Sequence, residues 1–297
     1  MEHKSGFACI IGLPNAGKSS LANALSGDHL SAITHKPQTT RHRIFSILNE
    51  DEYQIVLSDS PGFIDDPSYK LQESMNTFVW SSFDDADVLL VTQDAAHKSQ
   101  LNDHVKKAIN NSDVYKILIL NKIDIATSEQ IKDAVKNWGD VKFDEIIQVS
   151  ATKKVGVDQL KESLINAMPE GPAYYPKDQI TDRSYRFFTS EIIRAKILEL
   201  YHDELPYSVQ VIIDTYQDTK TNKGDDIARI SADIYVLRES QKGIILGKGG
   251  TSIKRLGTRA RHEIEKFIDK KVFLELRVKV KANWRNDERL LKHFGYQ

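Results

Sequence analysis

The chain has 297 residues, 40% hydrophobic and 28% charged, fractions that exclude a disordered or collagenous protein and suit about two domains with separate cores. No apolar run approaches the roughly 18 residues that span a bilayer, one cysteine excludes an internal disulfide, and nine histidines without ligand spacing give no zinc or iron site. The formal net charge of −1 conceals an asymmetry: residues 1–180 carry 18 Lys and Arg against 25 Asp and Glu, residues 181–297 carry 23 against 17, and that second part suits a polyanion.

Residues 1–5 lack the apolar centre of a signal peptide, so a cytoplasmic protein is expected. In chain order, residues 7–12, 44–48, 53–58, 88–92, 115–120 and 145–149 read as strands, and Cys9 falls inside the first as a small core residue. Helical patterns near 18–26, 70–83, 98–111, 127–138 and 157–168 fill the gaps. This alternation predicts an α/β domain whose mostly parallel six-stranded sheet is covered on both faces, with ligand at the carboxyl ends of its strands. Only four residues separate 44–48 from 53–58, so that pair is expected to be an antiparallel hairpin. Prolines and glycines over 169–176 then interrupt the pattern. The division expected is a nucleotide domain over 1–169, a linker over 170–181 and a second domain over 182–297. Beyond the linker come a helix near 186–203, strands near 207–216 and 227–237, a helical pair around a Gly-rich turn near 240–268, and a strand near 271–282.

Gly12-Leu-Pro-Asn-Ala-Gly-Lys-Ser19 fits the phosphate-loop pattern G-x-x-x-x-G-K-[ST] and stands between a strand and a helix, the context that gives it meaning. Gly12 and Gly17 let the backbone bend so that N–H groups from Asn15, Ala16 and Gly17 through Ser20 converge on an anion at a helix N-terminus. Lys18 is expected to reach the β- and γ-phosphates, and Ser19 to ligate Mg²⁺. Asp59-Ser-Pro-Gly62 ends the 53–58 strand, where Asp59 reaches Mg²⁺ through water and the Gly62 N–H touches a γ-phosphate. Asn121-Lys-Ile-Asp124 follows the 115–120 strand. Asp124 accepts from guanine N1–H and N2–H₂, a donor pair that adenine lacks, so the ligand expected is GTP or GDP rather than ATP. Asn121 is expected to buttress this loop, Lys122 to cover the base or ribose, and Ser150-Ala151 to offer a backbone N–H to guanine O6.

With these motifs in this order, the first half resembles the translation-factor-like GTPases, which have a Ras-like fold. The resemblance makes Thr39-Thr40-Arg41 a mobile switch whose threonine ligates Mg²⁺, with Thr40 the first choice and Thr39 the alternative. Two positions bear on mechanism. Phe63 stands where a water-orienting glutamine would, so intrinsic hydrolysis is expected to be slow. Asn15 resembles the asparagine that, in related GTPases, helps hold K⁺ beside the phosphates.

In the second half, Gly247-Lys-Gly-Gly250 is a G-x-x-G turn inside an α-β-β-α-α-β order, the arrangement of an α+β type II KH domain. Gly247, Gly249 and Gly250 admit a sugar-phosphate chain close to the backbone, and Lys248 adds charge. Ile244, Ile245 and Ile253 are candidates to floor a groove for unstacked bases, with core packing expected for at least two of them. Lys254, Arg255, Arg259 and Arg261 follow on a helix, Arg255 and Arg259 on one face, and Lys270, Lys271, Lys279 and Lys281 are expected to extend the cluster toward single-stranded RNA.

A GTPase part followed by such a module resembles the bacterial Era GTPases over nearly the whole chain. The resemblance is carried by the phosphate loop, Gln38-Thr-Thr-Arg-His-Arg43, Asp182-Arg-Ser-Tyr-Arg-Phe187, Leu205-Pro-Tyr-Ser208 and Gly247-Lys-Gly-Gly250. It implies a GTP-hydrolysing switch that binds near the 3′ end of small-subunit ribosomal RNA and assists assembly of the small ribosomal subunit. A cytoplasmic monomer in peripheral contact with the inner membrane belongs to the same expectation. The alternative is a constitutive RNA chaperone that holds GTP as a structural ligand.

Overall fold

The computed structural model describes residues 3–28, 30–34, 36–98, 101–139, 141–221 and 224–296. The chain divides into two compact units, one of Met1–Ser68 with Gln72–Asp182, the other of Tyr69–Leu71 with Arg183–Gln297.

The first unit is built on β1 (Lys4–Ile11), β2 (Ile44–Asn49), β3 (Tyr53–Asp59), β4 (Val88–Asp94), β5 (Tyr115–Asn121) and β6 (Glu145–Val149). They form one sheet in the order β2-β3-β1-β4-β5-β6, parallel throughout except for the β2–β3 hairpin. The central strands are apolar at successive positions because both of their faces are buried. Ala8, Ile10, Val88, Leu90, Ile117 and Ile119 point into one core, and Cys9, Ile11, Leu89, Val91, Leu118 and Leu120 into the other. Helices α1 (Lys18–Ser26) and α5 (Val157–Ala167) close the first core with Leu21, Leu25, Leu160 and Leu164. Helices α2 (Lys70–Asp84), α3 (Asp103–Asn111) and α4 (Ser128–Lys136) close the second with Val79, Val105, Ile109 and Ala134. Each such Leu or Ile contributes roughly 1.5–3 kcal/mol by leaving water. Helix α3 starts later than its periodicity suggests, because Asn102 accepts from the Val105 N–H at 2.9 Å and caps it there; residues 99–100 of the expected helix lie outside the described ones.

The expected linker, 170–181, is hydrogen-bonded to the first unit. Strand β2 is an edge, and an edge leaves a row of backbone donors and acceptors to be met. Ile47 N–H donates to Ile180 O at 2.9 Å, Thr181 Oγ1 donates to Phe45 O at 2.7 Å, and Asn49 Nδ2 donates to Gln179 O at 2.9 Å. From β3, Gln54 Oε1 accepts from Tyr174 N–H at 2.7 Å and Tyr175 N–H at 2.9 Å. The prolines and glycines keep this segment out of a helix, but its backbone stays tied to the sheet edge.

The second unit runs α6 (Tyr185–Leu200), β7 (Gln210–Lys220), β8 (Asp226–Val236), α7 (Glu239–Leu246), α8 (Thr251–Ile268) and β9 (Lys271–Val280), the order read from the sequence. Its three-stranded sheet pairs β7 with β8 antiparallel and β8 with β9 parallel. Ala228, Ile230, Ala232 and Ile234 of β8 meet Ile193 and Ile197 of α6 and Leu256, Ala260 and Ile264 of α8 in one core. Strand β7 begins three residues late because Pro206–Ser208 forms a 3-10 turn. A short α9 (Glu288–His293) was not legible in the sequence. It is seated by the fully buried Trp284, whose Nε1 donates to Ser208 O at 3.0 Å, and by Tyr296, whose hydroxyl donates to Gln210 Oε1 at 2.7 Å. Among the described residues no helix is long and apolar enough to cross a membrane.

Candidate nucleotide and RNA sites

A cavity of about 550 Å³ opens beside the phosphate loop of the first unit. Asn15, Gly17, Lys18, Ser19 and Ser20 form its phosphate end, while Asn121, Lys122, Asp124 and Ala151 form its far wall. Thr39, Thr40 and Gly62 close the side between them. Gly17 takes φ +93 and Asn15 φ +64, so the loop turns through left-handed conformations before α1 begins. A side chain at Gly17 would collide with Asn121 Nδ2, and one at Gly62 would press into Pro14. Close backbone approach therefore dictates both glycines.

Asn121, 1% exposed, ties three segments together. Its Nδ2 donates to Ala16 O at 3.0 Å, and its Oδ1 accepts from Lys122 N–H at 2.9 Å and Ala151 N–H at 3.2 Å. This is the buttress that the sequence suggested. Lys18 Nζ donates to Gly12 O at 3.1 Å and Leu13 O at 3.0 Å. Burial lowers its pKa to about 8, against the opposing pull of the Asp59 charge.

Ser19 Oγ and Thr40 Oγ1 lie 2.8 Å apart. Thr39 is turned away: its hydroxyl meets Thr34 Oγ1 and Lys36 O, each at 2.6 Å. Behind them Asp59 is wholly buried, and neither of its carboxylate oxygens has a hydrogen-bond partner of good geometry. Burial raises its pKa, while the nearby Ser19 and Ser31 hydroxyls and the Lys18 charge act the other way. Two adjacent hydroxyls and an unsatisfied buried carboxylate are hard oxygen donors, a set that fits Mg²⁺.

At the base end, Ser150 Oγ donates to Asp124 Oδ1 at 2.6 Å, which orients the carboxylate. The expectation for Ser150 needs correcting. Its N–H donates to Val155 O at 3.0 Å and closes the turn after β6, so Ser150 acts through its hydroxyl, while Ala151, whose N–H is held by Asn121 Oδ1, lines the cavity. Phe63 is not among the residues that line the cavity. Its ring is buried in the core edge-on to Trp80, 5.8 Å between centroids, and its N–H donates to Gly12 O at 3.2 Å. The apolar ring follows the core rather than the cavity, so it supplies neither a catalytic group nor a water-orienting one. Sequence reading missed Asp94, Ile33 and Ile125, which also line the cavity. Only the position of Asp94 at a strand's carboxyl end signals it in the sequence.

In the second unit, Gly247, Gly249 and Gly250 take φ +72, +60 and +76, so the turn between α7 and α8 requires glycine for its backbone alone. Beside it Lys248 is exposed, and so is Ile244 at 56%. Ile245 is fully buried and Ile253 packs against the core, which leaves Ile244 as the apolar residue at the surface. Lys254, Arg255 and Arg259 are exposed on α8, whose opposite face carries Leu256, Ala260 and Ile264. Three of the other lysines are placed differently. Strand period places Lys271 and Lys279 on the face of β9 opposite Val272 and Val278, and Lys279 pairs there with Asp233 at 2.6 Å. Lys270 pairs with Asp218 at 3.2 Å.

Comparison with known proteins agrees with both halves. The profile of the 50S ribosome-binding GTPase family matches residues 7–122, and that of the KH domain family matches residues 204–285. The chain is 45% identical to GTPase Era of Syntrophus aciditrophicus over 99% of its own length and 95% of that protein's. It is 42% identical to GTPase Era of Clostridium kluyveri over 99% of each. Among solved structures, a variant of Aquifex aeolicus Era bound to GDP and AlF4⁻ superposes with a TM-score of 0.89 at 33% identity, over 99% of both chains. Era in complex with MgGDPNP and nucleotides 1506–1542 of 16S ribosomal RNA gives the same TM-score, identity and coverage. The chain thus belongs to the Era family of GTPases, GTP-hydrolysing phosphate-loop enzymes, and carries a KH domain behind the GTPase domain.

Proposed function

We propose that this protein is a slow, GTP-driven switch that binds single-stranded RNA near the 3′ end of small-subunit ribosomal RNA and assists assembly of that subunit. The observation that carries the nucleotide half is Asp124, oriented by Ser150 Oγ at the wall of the same cavity that holds the phosphate loop. A guanine edge matches that carboxylate, with Ala151 beside O6, where its N–H, now on Asn121 Oδ1, can be shared with the base, and Lys122 across the base or ribose. Lys18 and the N–H groups of the loop and of Gly62 bind the phosphates. Ser19 and Thr40 would ligate Mg²⁺, with Asp59 the carboxylate behind them, and the bound ion would supply positive charge at the phosphate end of the cavity. Phe63 has no carboxamide to align water, which supports slow intrinsic turnover. On the RNA side, the solved Era complex with 16S nucleotides supports the same ligand class here. Gly247–Gly250, Ile244, Lys254, Arg255 and Arg259 are the residues assigned to that contact. A cytoplasmic monomer that touches the inner membrane peripherally is part of the same proposal.

RNA affinity measured with each nucleotide bound tests the switch. An oligonucleotide matching the small-subunit 3′ end is expected to bind roughly tenfold more tightly to protein loaded with a GTP analogue than with GDP, a difference of about 1.4 kcal/mol. Equal affinities would favour the constitutive chaperone instead.

Asn15 lines the phosphate end of the cavity in a left-handed conformation, and we assign it to a K⁺ beside the phosphates. Turnover in K⁺ is then expected to exceed turnover in Na⁺ at equal ionic strength, by at least several-fold. Identical rates in the two salts would remove K⁺ from the mechanism.

A further inference from the structure

Asp94 is the last residue of β4 and lies beside Asn121, its register partner at the end of β5. Backbone pairing continues past the strands, with Ala95 N–H donating to Asn121 O at 2.9 Å. The Asp94 side chain is 9% exposed, and it is fully engaged. Oδ1 accepts from Ala96 N–H at 2.9 Å; Oδ2 accepts from Lys122 Nζ at 2.7 Å and lies 3.0 Å from His97 Nδ1.

Lys122 has φ +64, a conformation that a non-glycine residue adopts only where its surroundings hold it there. That backbone state and the grip of Asp94 together send the side chain along the phosphate loop, with its Cε 4.0 Å from where a Gly17 Cβ would stand. A lysine stem loses much rotamer freedom when fixed. Here the fixing is done by a buried carboxylate before any ligand arrives. A lysine already laid along the cavity wall can cover a bound nucleoside without being ordered by it. Both Asp94 oxygens are taken, Oδ1 by Ala96 N–H and Oδ2 by Lys122 and His97, so it acts on the ligand through Lys122.

We infer that Asp94 is a positioning residue: it holds Lys122 across the phosphate loop and thereby sets how long guanine nucleotide stays bound. This rests on the reading of the cavity as a guanine-nucleotide site. His97, with its side chain 70% exposed at the cavity, shares the same carboxylate oxygen and forms the outer part of the latch.

The test is release of a fluorescent GDP from the full-length protein, its Asp94→Asn and Lys122→Met variants, and the double variant. Asp94→Asn keeps an oxygen for Ala96 N–H and removes the charge that grips Lys122. Each single substitution is expected to speed release roughly tenfold, and the double variant to release no faster than the quicker single one, because both act through one contact. Asp94→Ser, which retains a local acceptor, is measured alongside in case Asp94→Asn does not fold. Release from both Asp94 variants at the parental rate would overturn the inference, as would single effects that multiply in the double variant. If the parent itself failed to retain GDP, the reading of the cavity would fall instead, so the two failures are distinguishable.

Discussion

Asp124→Asn is expected to convert a guanine-nucleotide site into one that prefers xanthine nucleotides. Ser150 Oγ donates to Asp124 Oδ1 at 2.6 Å, and an asparagine oxygen would keep that bond. The new NH₂ group then takes the place of the other carboxylate oxygen, so a donor faces the donor N2–H₂ of guanine. Xanthine carries a carbonyl at that position and accepts the bond. A charge-assisted hydrogen bond contributes about 1.5–3 kcal/mol, and opposed donors add a desolvation penalty. GTP affinity should therefore fall on the order of 10³-fold while xanthosine triphosphate gains, as competition binding against labelled GDP would show. Undiminished GTP affinity would mean that Asp124 does not read the base.

Asp59→Asn is expected to stabilise the nucleotide-free protein and to abolish the Mg²⁺ dependence of nucleotide binding. Burial raises the pKa of Asp59, and neither carboxylate oxygen meets a hydrogen-bond partner of good geometry. A folded-state pKa above the unfolded one means that the unfolded chain binds fewer protons between the two values. Stability from this group consequently falls as pH rises through the unfolded pKa of about 4, and the loss is complete once pH passes the raised folded value. Asparagine removes that cost. The midpoint of thermal unfolding should rise by roughly 2–4 °C for each kcal/mol relieved in a domain of this size, and its pH dependence should flatten. Nucleotide affinity should become nearly equal with Mg²⁺ and with chelator. A lower midpoint together with an intact Mg²⁺ effect would show that Asp59 is structural. The trade of stability for function is common where a site must wait for a cation.

Much of the site was legible because phosphate and base recognition use short, local backbone devices. A turn that needs Gly17 at φ +93, a carboxylate three residues after Asn121, and three positive-φ glycines at 247–250 all leave marks in consecutive residues. The choice between Thr40 and Thr39 left no such mark. Both follow Gln38, itself at φ +58, and only the packed loop sends one hydroxyl to Ser19 and the other back to Lys36 O. The role of Asp94 left no mark for a related reason: its partner lies 28 residues away, just past the neighbouring strand.

The sequence by itself determined the order of strands and helices as far as β9, the guanine-reading and phosphate-binding motifs, and the KH arrangement of the second unit, since periodicity and turn chemistry are local. Tertiary structure alone decided what each group faces. It tied residues 170–181 to the β2 edge, turned the Phe63 ring into the core, and gave Ser150 to Asp124 through its hydroxyl. It also drew Lys270 and Lys279 into ion pairs with Asp218 and Asp233. The physical reason is common to all of these. A hydrogen bond, an ion pair or a buried ring depends on which distant residue the fold brings within a few ångströms, and spacing along the chain does not encode that distance.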